Sequence, residues 1–184
     1  MRSRTALSLI ELIVVISVLA AISGILIPVF TGTIHTANEV ATKRTLVEVR
    51  DTVANYWSDM KHVTLDGVTT VATDADRLNI DWLFANPVTG DTTFDFDFNT
   101  QIGWRGPYLA ESTGDLVAAG SPYLIDAWNN EIEIQDVDST ATLRDVRIVS
   151  GGPDGTIDIP TATATSALTA NDIGDDIYVA FSLR

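Results

Sequence analysis

An α+β fold follows from three features of the sequence. A membrane-length apolar run lies near the N-terminus, an amphipathic helical stretch follows it directly, and short β-patterned segments are confined to the second half of the chain. Helix precedes strands with no βαβ alternation, which predicts an antiparallel sheet. The organisation expected is a short basic segment over 1–6, an apolar helix over 7–30, its amphipathic continuation over 31–62 and a globular region over 63–184.

The apolar run "ALSLIELIVVISVLAAISGILIP" occupies residues 6–28. Only Ser8, Glu11, Ser17, Ser23 and Gly24 dilute its aliphatic character, and its length suits a helix that crosses a bilayer. Arg2 and Arg4 precede it with no acidic residue, so the positive-inside bias keeps the N-terminus in the cytoplasm and exports the rest. A carboxylate at bilayer depth needs a partner or a purpose. A secretory signal cut near Ala21-Ile22-Ser23 would place Glu11 inside its apolar region and leave the apolar pattern running on to Phe30. A plain anchor gives Glu11 no role. Gly24 weakens helix propensity and Pro28 removes a helix donor, so the stretch between them is expected to kink or locally unwind.

Beyond the run, Leu46, Val49, Val53, Tyr56 or Trp57, and Met60 recur at steps of three and four, while Lys43, Arg44, Glu48, Arg50, Asp51 and Asp59 fall on other faces. That pattern continues one helix from about Leu7 to about His62, with an apolar stripe packed on the globular region. His35 and His62 stand apart from each other and from any nucleophile, which assigns them to surface or capping positions. A helical turn is expected around Asp76–Phe84. "TFDFDFNT" alternates Phe94, Phe96 and Phe98 with Asp95 and Asp97, the pattern of an extended segment with a buried aromatic face and a solvated acidic one. Further strands are predicted at Tyr123–Ile125, Glu131–Gln135 and Leu143–Val149.

Charge narrows the function classes. With 25 acidic against 11 basic residues and a net charge of −14, the chain lacks the clustered Lys and Arg that nucleic-acid or anionic-lipid binding requires. No enzyme motif is present: there is no cysteine, no Gly-x-Ser-x-Gly and no glycine-rich phosphate loop. A non-enzymatic role is therefore expected. The lack of cysteine also removes the disulfides on which small exported domains often rely, so the loops need another staple.

Residues Ala6-Leu7-Ser8-Leu9-Ile10-Glu11-Leu12 resemble the processing signal of type IV pilins and of type II secretion pseudopilins, in which a basic leader is cut before an apolar helix whose fifth residue is glutamate. A cut between Ala6 and Leu7 makes Glu11 that residue. Ala6 replaces the usual glycine before the cut and Leu7 the usual Phe or Met after it, and Pro28 stands where the family commonly has a kinking proline. Later segments are similar to those of major pseudopilins and come in the same order: "WRGPYL" at Trp104–Leu109, "DAWNN" at Asp126–Asn130, "SGGPDG" at Ser150–Gly155 and "NDIGDD" at Asn171–Asp176. In "DAWNN", Ala127 replaces the family proline and Asn129 its glycine. Residues 63–100 lie outside the resemblance.

The resemblance implies a pilin-like subunit processed and N-terminally methylated by prepilin peptidase. It would be held in the bacterial inner membrane by a single pass and then polymerised with copies of itself into a periplasmic pseudopilus. Its other partners would be minor pseudopilins and an inner-membrane assembly platform, with filament growth driven by ATP elsewhere. Glu11 would pair with the new amino terminus of Leu7 on a neighbouring subunit, since a buried charge is costly alone and specifies register when paired. Two alternatives stay open. One is a surface type IV pilin for adhesion, motility or DNA uptake, against which the lack of cysteine leans because many pilins close a C-terminal loop with a disulfide. The other is a monomeric membrane-anchored binding module that keeps residues 1–6.

The resemblance also implies a structural calcium ion as the missing staple. Asp154 and Asp172 would be side-chain ligands, with Asn171 and the Gly151 and Thr156 carbonyls completing a shell of hard oxygen donors. Asp158 or Asp175 could substitute.

Overall fold

The computed structural model describes residues 8–60, 81–86, 95–109, 123–137 and 144–183. The chain divides into two units, Met1–Ala37 and Asn38–Arg184. Helix α1, Leu9–Met60, supplies the described part of the first unit and opens the second. The expected start at Leu7 and end at His62, and the processing residues Ala6 and Leu7, lie outside the described residues.

In the first unit, Leu9–Ile25 and Phe30–Ala37 are exposed, with large apolar side chains such as Leu9, Ile13, Leu19, Ile25 and Phe30 open to their surroundings. The stretch Leu9–Phe30 rises about 33 Å, against about 30 Å for the hydrocarbon core of a bilayer. It is long and apolar enough to cross a membrane. α1 continues through Gly24 and Pro28 as helix in this structure. The missing Pro28 donor deprives only the Gly24 carbonyl of its helical partner, and cooperative helix on both sides carries the turn.

In the second unit, α1 buries Leu46, Val49, Val53, Tyr56, Trp57 and Met60, the stripe predicted from the spacing. These side chains share one core with Leu83 and Phe84 of helix α2 (Asp81–Phe84), with Leu109 and Leu124, and with a three-stranded sheet. The sheet has the order β1 (Ile132–Asp136), β2 (Val146–Ser150), β3 (Ile177–Phe181), antiparallel throughout, and Ile134, Ile148 and Val179 lie in register across it. β2 is central and buried along its whole length. The architecture is therefore the α+β arrangement of a long N-terminal helix with a small antiparallel sheet.

Several expectations are corrected in detail. β3 was not anticipated, although Ile177, Val179 and Phe181 alternate as a strand should. Tyr123–Ile125 is no named strand: Ile125 bridges Glu131 and the Leu124 carbonyl accepts from Ile132 N–H at 2.9 Å, closing the hairpin around "DAWNN". Asp95 and Asp97 make isolated bridges to Trp104 and Ile102 rather than a sheet strand, and Phe98 is 87% exposed instead of buried. Its position at a hairpin tip turns the ring away from the core. Asp59, expected on a solvent face, is 7% exposed and accepts hydrogen bonds from Tyr108 Oη (2.8 Å) and Arg105 Nη2 (3.3 Å). Two partners compensate the burial of its charge. Of the helical turn expected at Asp76–Phe84, α2 is the part that falls within the described residues.

Candidate functional site

The start of α1 is built by a reciprocal cap. The Ser8 backbone N–H and its hydroxyl both donate to Glu11 Oε2, at 2.8 and 2.9 Å, and the Glu11 N–H donates back to Ser8 Oγ at 3.3 Å. The pattern Ser-x-x-Glu is a capping box, which satisfies donors that the first helical turn leaves open. Ser8 was not singled out from the sequence, although that spacing was legible. Within one chain Oε2 is thus engaged, while Oε1 accepts no hydrogen bond among the described residues and Glu11 is exposed. The carboxylate can keep its helix start and still meet a cation from outside the chain.

The second candidate region is the connection from β2 to β3. Asp126 organises its base: one carboxylate oxygen accepts from the backbone N–H groups of Trp128 and Asn130 at 2.8 Å each, and the other from Ser150 Oγ at 2.7 Å. Asn129 adopts φ +68°, a conformation that glycine occupies freely and asparagine tolerates best among the other residues. The resemblance placed a glycine here, and the backbone explains why asparagine serves instead. The Asn130 carboxamide then donates to the Gly152 carbonyl at 2.9 Å.

From Gly151 the chain makes a short 3-10 turn, Gly152–Asp154, closed by a hydrogen bond from Gly155 N–H to the Gly151 carbonyl at 3.1 Å. A Cβ at Gly152 would stand 2.3 Å from the Asp175 carbonyl oxygen, so glycine is what allows the turn to seat against residue 175. Asp154 Oδ1 accepts from Thr156 N–H at 2.7 Å. Asp172 lies in helix α3 (Ala170–Ile173), where its Oδ2 accepts from Thr169 Oγ1 at 2.6 Å and Thr169 N–H at 2.8 Å. The Thr169 hydroxyl, with the Thr169 N–H, holds the Asp172 carboxyl below the usual aspartate range. Asn171 is exposed on the same short helix. The expected ligands Asp154, Asp172 and Gly151 therefore already carry internal hydrogen bonds, and what they retain for a cation is Asp154 Oδ2, Asp172 Oδ1 and the free lone pairs of the carbonyl.

A residue not foreseen lies between these segments. Asp176 is 7% exposed, and its Oδ2 accepts from Asp158 N–H and Ile159 N–H at 2.8 Å each. Its Oδ1 is buried and without a hydrogen-bond partner. Burial pushes its carboxyl above the usual range against those two backbone bonds, and the charges of Asp158 and Asp175 act in the same direction as burial. Asp158 is close by: a Cβ at Gly174 would stand 2.6 Å from its Oδ2. The fold thus brings Asp158 and Asp175, the two alternative ligands, beside a buried and incompletely satisfied carboxylate. Among the described residues no three Asp, Glu or His side chains converge on one point.

The connection is also tied by side chains that sequence reasoning missed. Arg147, fully buried at the middle of the sheet, donates to Gln135 Oε1 at 2.7 Å, to the Thr163 carbonyl at 2.8 Å and to the Pro160 carbonyl at 2.6 Å. Burial lowers its pKa from the ordinary arginine value. Asp145 accepts from Thr165 N–H at 2.8 Å. Arg147, Asp145 and Asp176 fasten the long connection at successive points.

"WRGPYL" is structural in the same sense. Trp104 Nε1 donates to the Trp82 carbonyl at 2.8 Å, and the backbone N–H groups of Tyr108 and Leu109 both reach the Leu83 carbonyl. Burial pushes the Tyr108 phenol up to about 12, and its hydroxyl donates to Asp59 on α1. The motif fixes α2 and α1 to one another.

Comparison with protein-family models, with curated proteins and with solved structures finds no match to this chain.

Proposed function

We propose that the protein is the structural subunit of a periplasmic pseudopilus, the major pseudopilin of a type II secretion machine. The observation that carries this reading is the start of α1: an exposed apolar helix with one carboxylate in its first turn, half engaged by Ser8 and half free. A permanent membrane span has no use for that carboxylate, whereas a helix that packs among its own copies can pair it with a neighbour's amino terminus. The subunit is made with residues 1–6 as a leader, cut between Ala6 and Leu7 by prepilin peptidase and methylated at Leu7. It waits in the bacterial inner membrane and then adds to a helical filament through the assembly platform and minor pseudopilins. Filament growth, driven by ATP elsewhere, pushes folded proteins through an outer-membrane channel. The subunit itself has no catalytic role.

A structural calcium ion on the β2–β3 connection belongs to the same reading. Asp154, Asp172 and Asn171 with the Gly151 and Thr156 carbonyls supply hard oxygen donors, and Asp158 or Asp175 can substitute for one of them. The buried, partnerless Asp176 Oδ1 beside Asp158 and Asp175 supports a cation in this region, because a positive charge there would offset a carboxylate that burial disfavours. The ion would neutralise a crowded acidic segment and fasten it.

Deleting the gene in its host and comparing secreted with periplasmic proteins tests the proposal. Exoproteins trapped in the periplasm support it. Unchanged export with loss of surface fibres would make the protein a type IV pilin. Unchanged export and unchanged fibres, with a chain that retains residues 1–6, would make it a membrane-anchored binding module.

A further inference from the structure

The hairpin around Phe98 presents an aromatic side chain in a way the core does not require. Asp97 N–H donates to the Ile102 carbonyl at 2.9 Å, Gln101 N–H donates to the Asp97 carbonyl at 2.7 Å, and Asp97 Oδ1 accepts from Asn99 N–H at 2.7 Å. Gln101 takes φ +57° to complete the turn. The base of the hairpin is fixed to α1 by Gly103 N–H, which donates to the Asp59 carbonyl at 3.0 Å. Phe98 is thus held out on a tied turn, 87% exposed, its ring edge-on to Phe96 at 5.4 Å. Exposed Asp95 and Asp97 precede it on the same hairpin, with Asp95 Oδ1 accepting from Asn86 and Asp97 Oδ1 from Asn99. The tip is acidic and carries one exposed ring.

The same unit carries the chemical complement. α1 turns Thr42, Leu46, Val49 and Val53 inward, so Val40, Arg44 and Val47 lie on its opposite face at steps of four and three. Val40 is 62% and Val47 38% exposed. Lys43 pairs with Glu39 and Arg50 with Asp51, but Arg44 has neither an ion pair nor a hydrogen bond among the described residues. An unpaired guanidinium between two aliphatic side chains suits an acidic hairpin that carries an exposed ring, through stacking and charge together. The chain uses this chemistry internally, where the Arg105 guanidinium sits 5.1 Å from the Phe96 ring centre.

We propose that the Phe98 tip of one chain docks on the Val40–Arg44–Val47 stripe of a second copy. A second copy is favoured because the two patches are different surfaces of one sequence. A contact between unlike surfaces is heterologous, leaves the pair with one free tip and one free stripe, and propagates when the rotation does not close a ring. Chains of net charge −14 repel one another at long range, so a local pairing such as that of Arg44 with the acidic tip decides where they touch. The inference rests on the polymer reading and assigns it a contact beyond the apolar segment of α1.

The test uses the full chain in its host. Because the native sequence has no cysteine, coexpressing Val40→Cys and Phe98→Cys as separate chains gives a disulfide-linked pair only when the two positions meet between copies. Ser166→Cys with Phe98→Cys is the control and should not link. Arg44→Glu or Asp97→Arg alone should lower filament number about tenfold, since each sets like charges face to face, and the double reversal should restore it. Normal filaments in both single variants with no cross-link would overturn the contact and leave the polymer reading intact. A link from Phe98→Cys to a different protein would also overturn it. Wild-type chains that form no filament at all would instead overturn the polymer reading.

Discussion

Replacing Arg147 by leucine tests whether side chains fasten the β2–β3 connection. The substitution fills most of the same volume but strands three acceptors. Gln135 Oε1 is buried beside the guanidinium, whereas the Pro160 and Thr163 carbonyls belong to a loop that water can reach. One buried acceptor left unpaired costs about 1–3 kcal/mol and each rehydrated loop carbonyl about 1 kcal/mol, giving a loss of about 3–5 kcal/mol. For a unit of this size that corresponds to a fall of about 10 °C in melting temperature. Urea unfolding of the detergent-solubilised chain, followed by tryptophan fluorescence, reads the effect directly, because Trp57, Trp82, Trp104 and Trp128 all lie in Asn38–Arg184. Gln135→Leu in the same chain should recover the Gln135 share. A loss below about 1 kcal/mol for Arg147→Leu would refute the staple, since it would mean that the three bonds were matched by hydration.

Other consequences are open to the same assay. Asp176 has a raised folded-state pKa against an ordinary value of 3.8, so its contribution is fully present below that value and is lost as pH rises through the folded pKa. Asp176→Asn should flatten this decline and, without calcium, stabilise the unit at neutral pH by removing a buried charge; a lower stability there would contradict it. Asp154→Ala should reduce the melting temperature more in calcium than in chelator, and equal losses would make Asp154 a turn former alone. Asn129→Ala should cost about 1 kcal/mol and Asn129→Gly almost nothing, because φ +68° strains a Cβ that lacks asparagine's local hydrogen bonding.

How far the fold was legible depended on whether a residue's partner lay nearby in sequence. The stripe Leu46, Val49, Val53, Tyr56 and Met60 was legible because a helix that buries one face must repeat at three and four, whatever it packs on. β1 and β2 were found within one to three residues for the same kind of reason. β3 is hard to see in the sequence because the acidic run just before Ile177 has the residue types of a ligand segment and hides the approach to a strand. Asp59 fell off the apolar stripe and Arg147 drew no notice, and only the fold supplies Tyr108 to one and the Pro160 and Thr163 carbonyls to the other. Phe98 erred in the opposite sense: alternation indicates an extended segment but does not say that anything covers its apolar side.

At the candidate sites, Glu11 stood out because its charge contradicts its surroundings, while its cap from Ser8 needed only the three-residue spacing to be noticed. In the β2–β3 connection the turn at Pro153-Asp154-Gly155 was legible from its residue types. The part played by Asp172 in capping α3 was not, because the long Thr- and Ala-rich segment gives no periodic cue to where a four-residue helix begins. Asp176 became distinctive only once burial separated its two oxygens into a satisfied one and an orphan.

The central claim is that Glu11 selects the neighbour in a filament, and electron microscopy of filaments from cells producing wild type, Glu11→Ala or Glu11→Gln measures it most directly. The account predicts abundant filaments for wild type and none for either variant, with tryptophan-monitored unfolding of Asn38–Arg184 unchanged. Filaments of normal number and length in Glu11→Ala would contradict it.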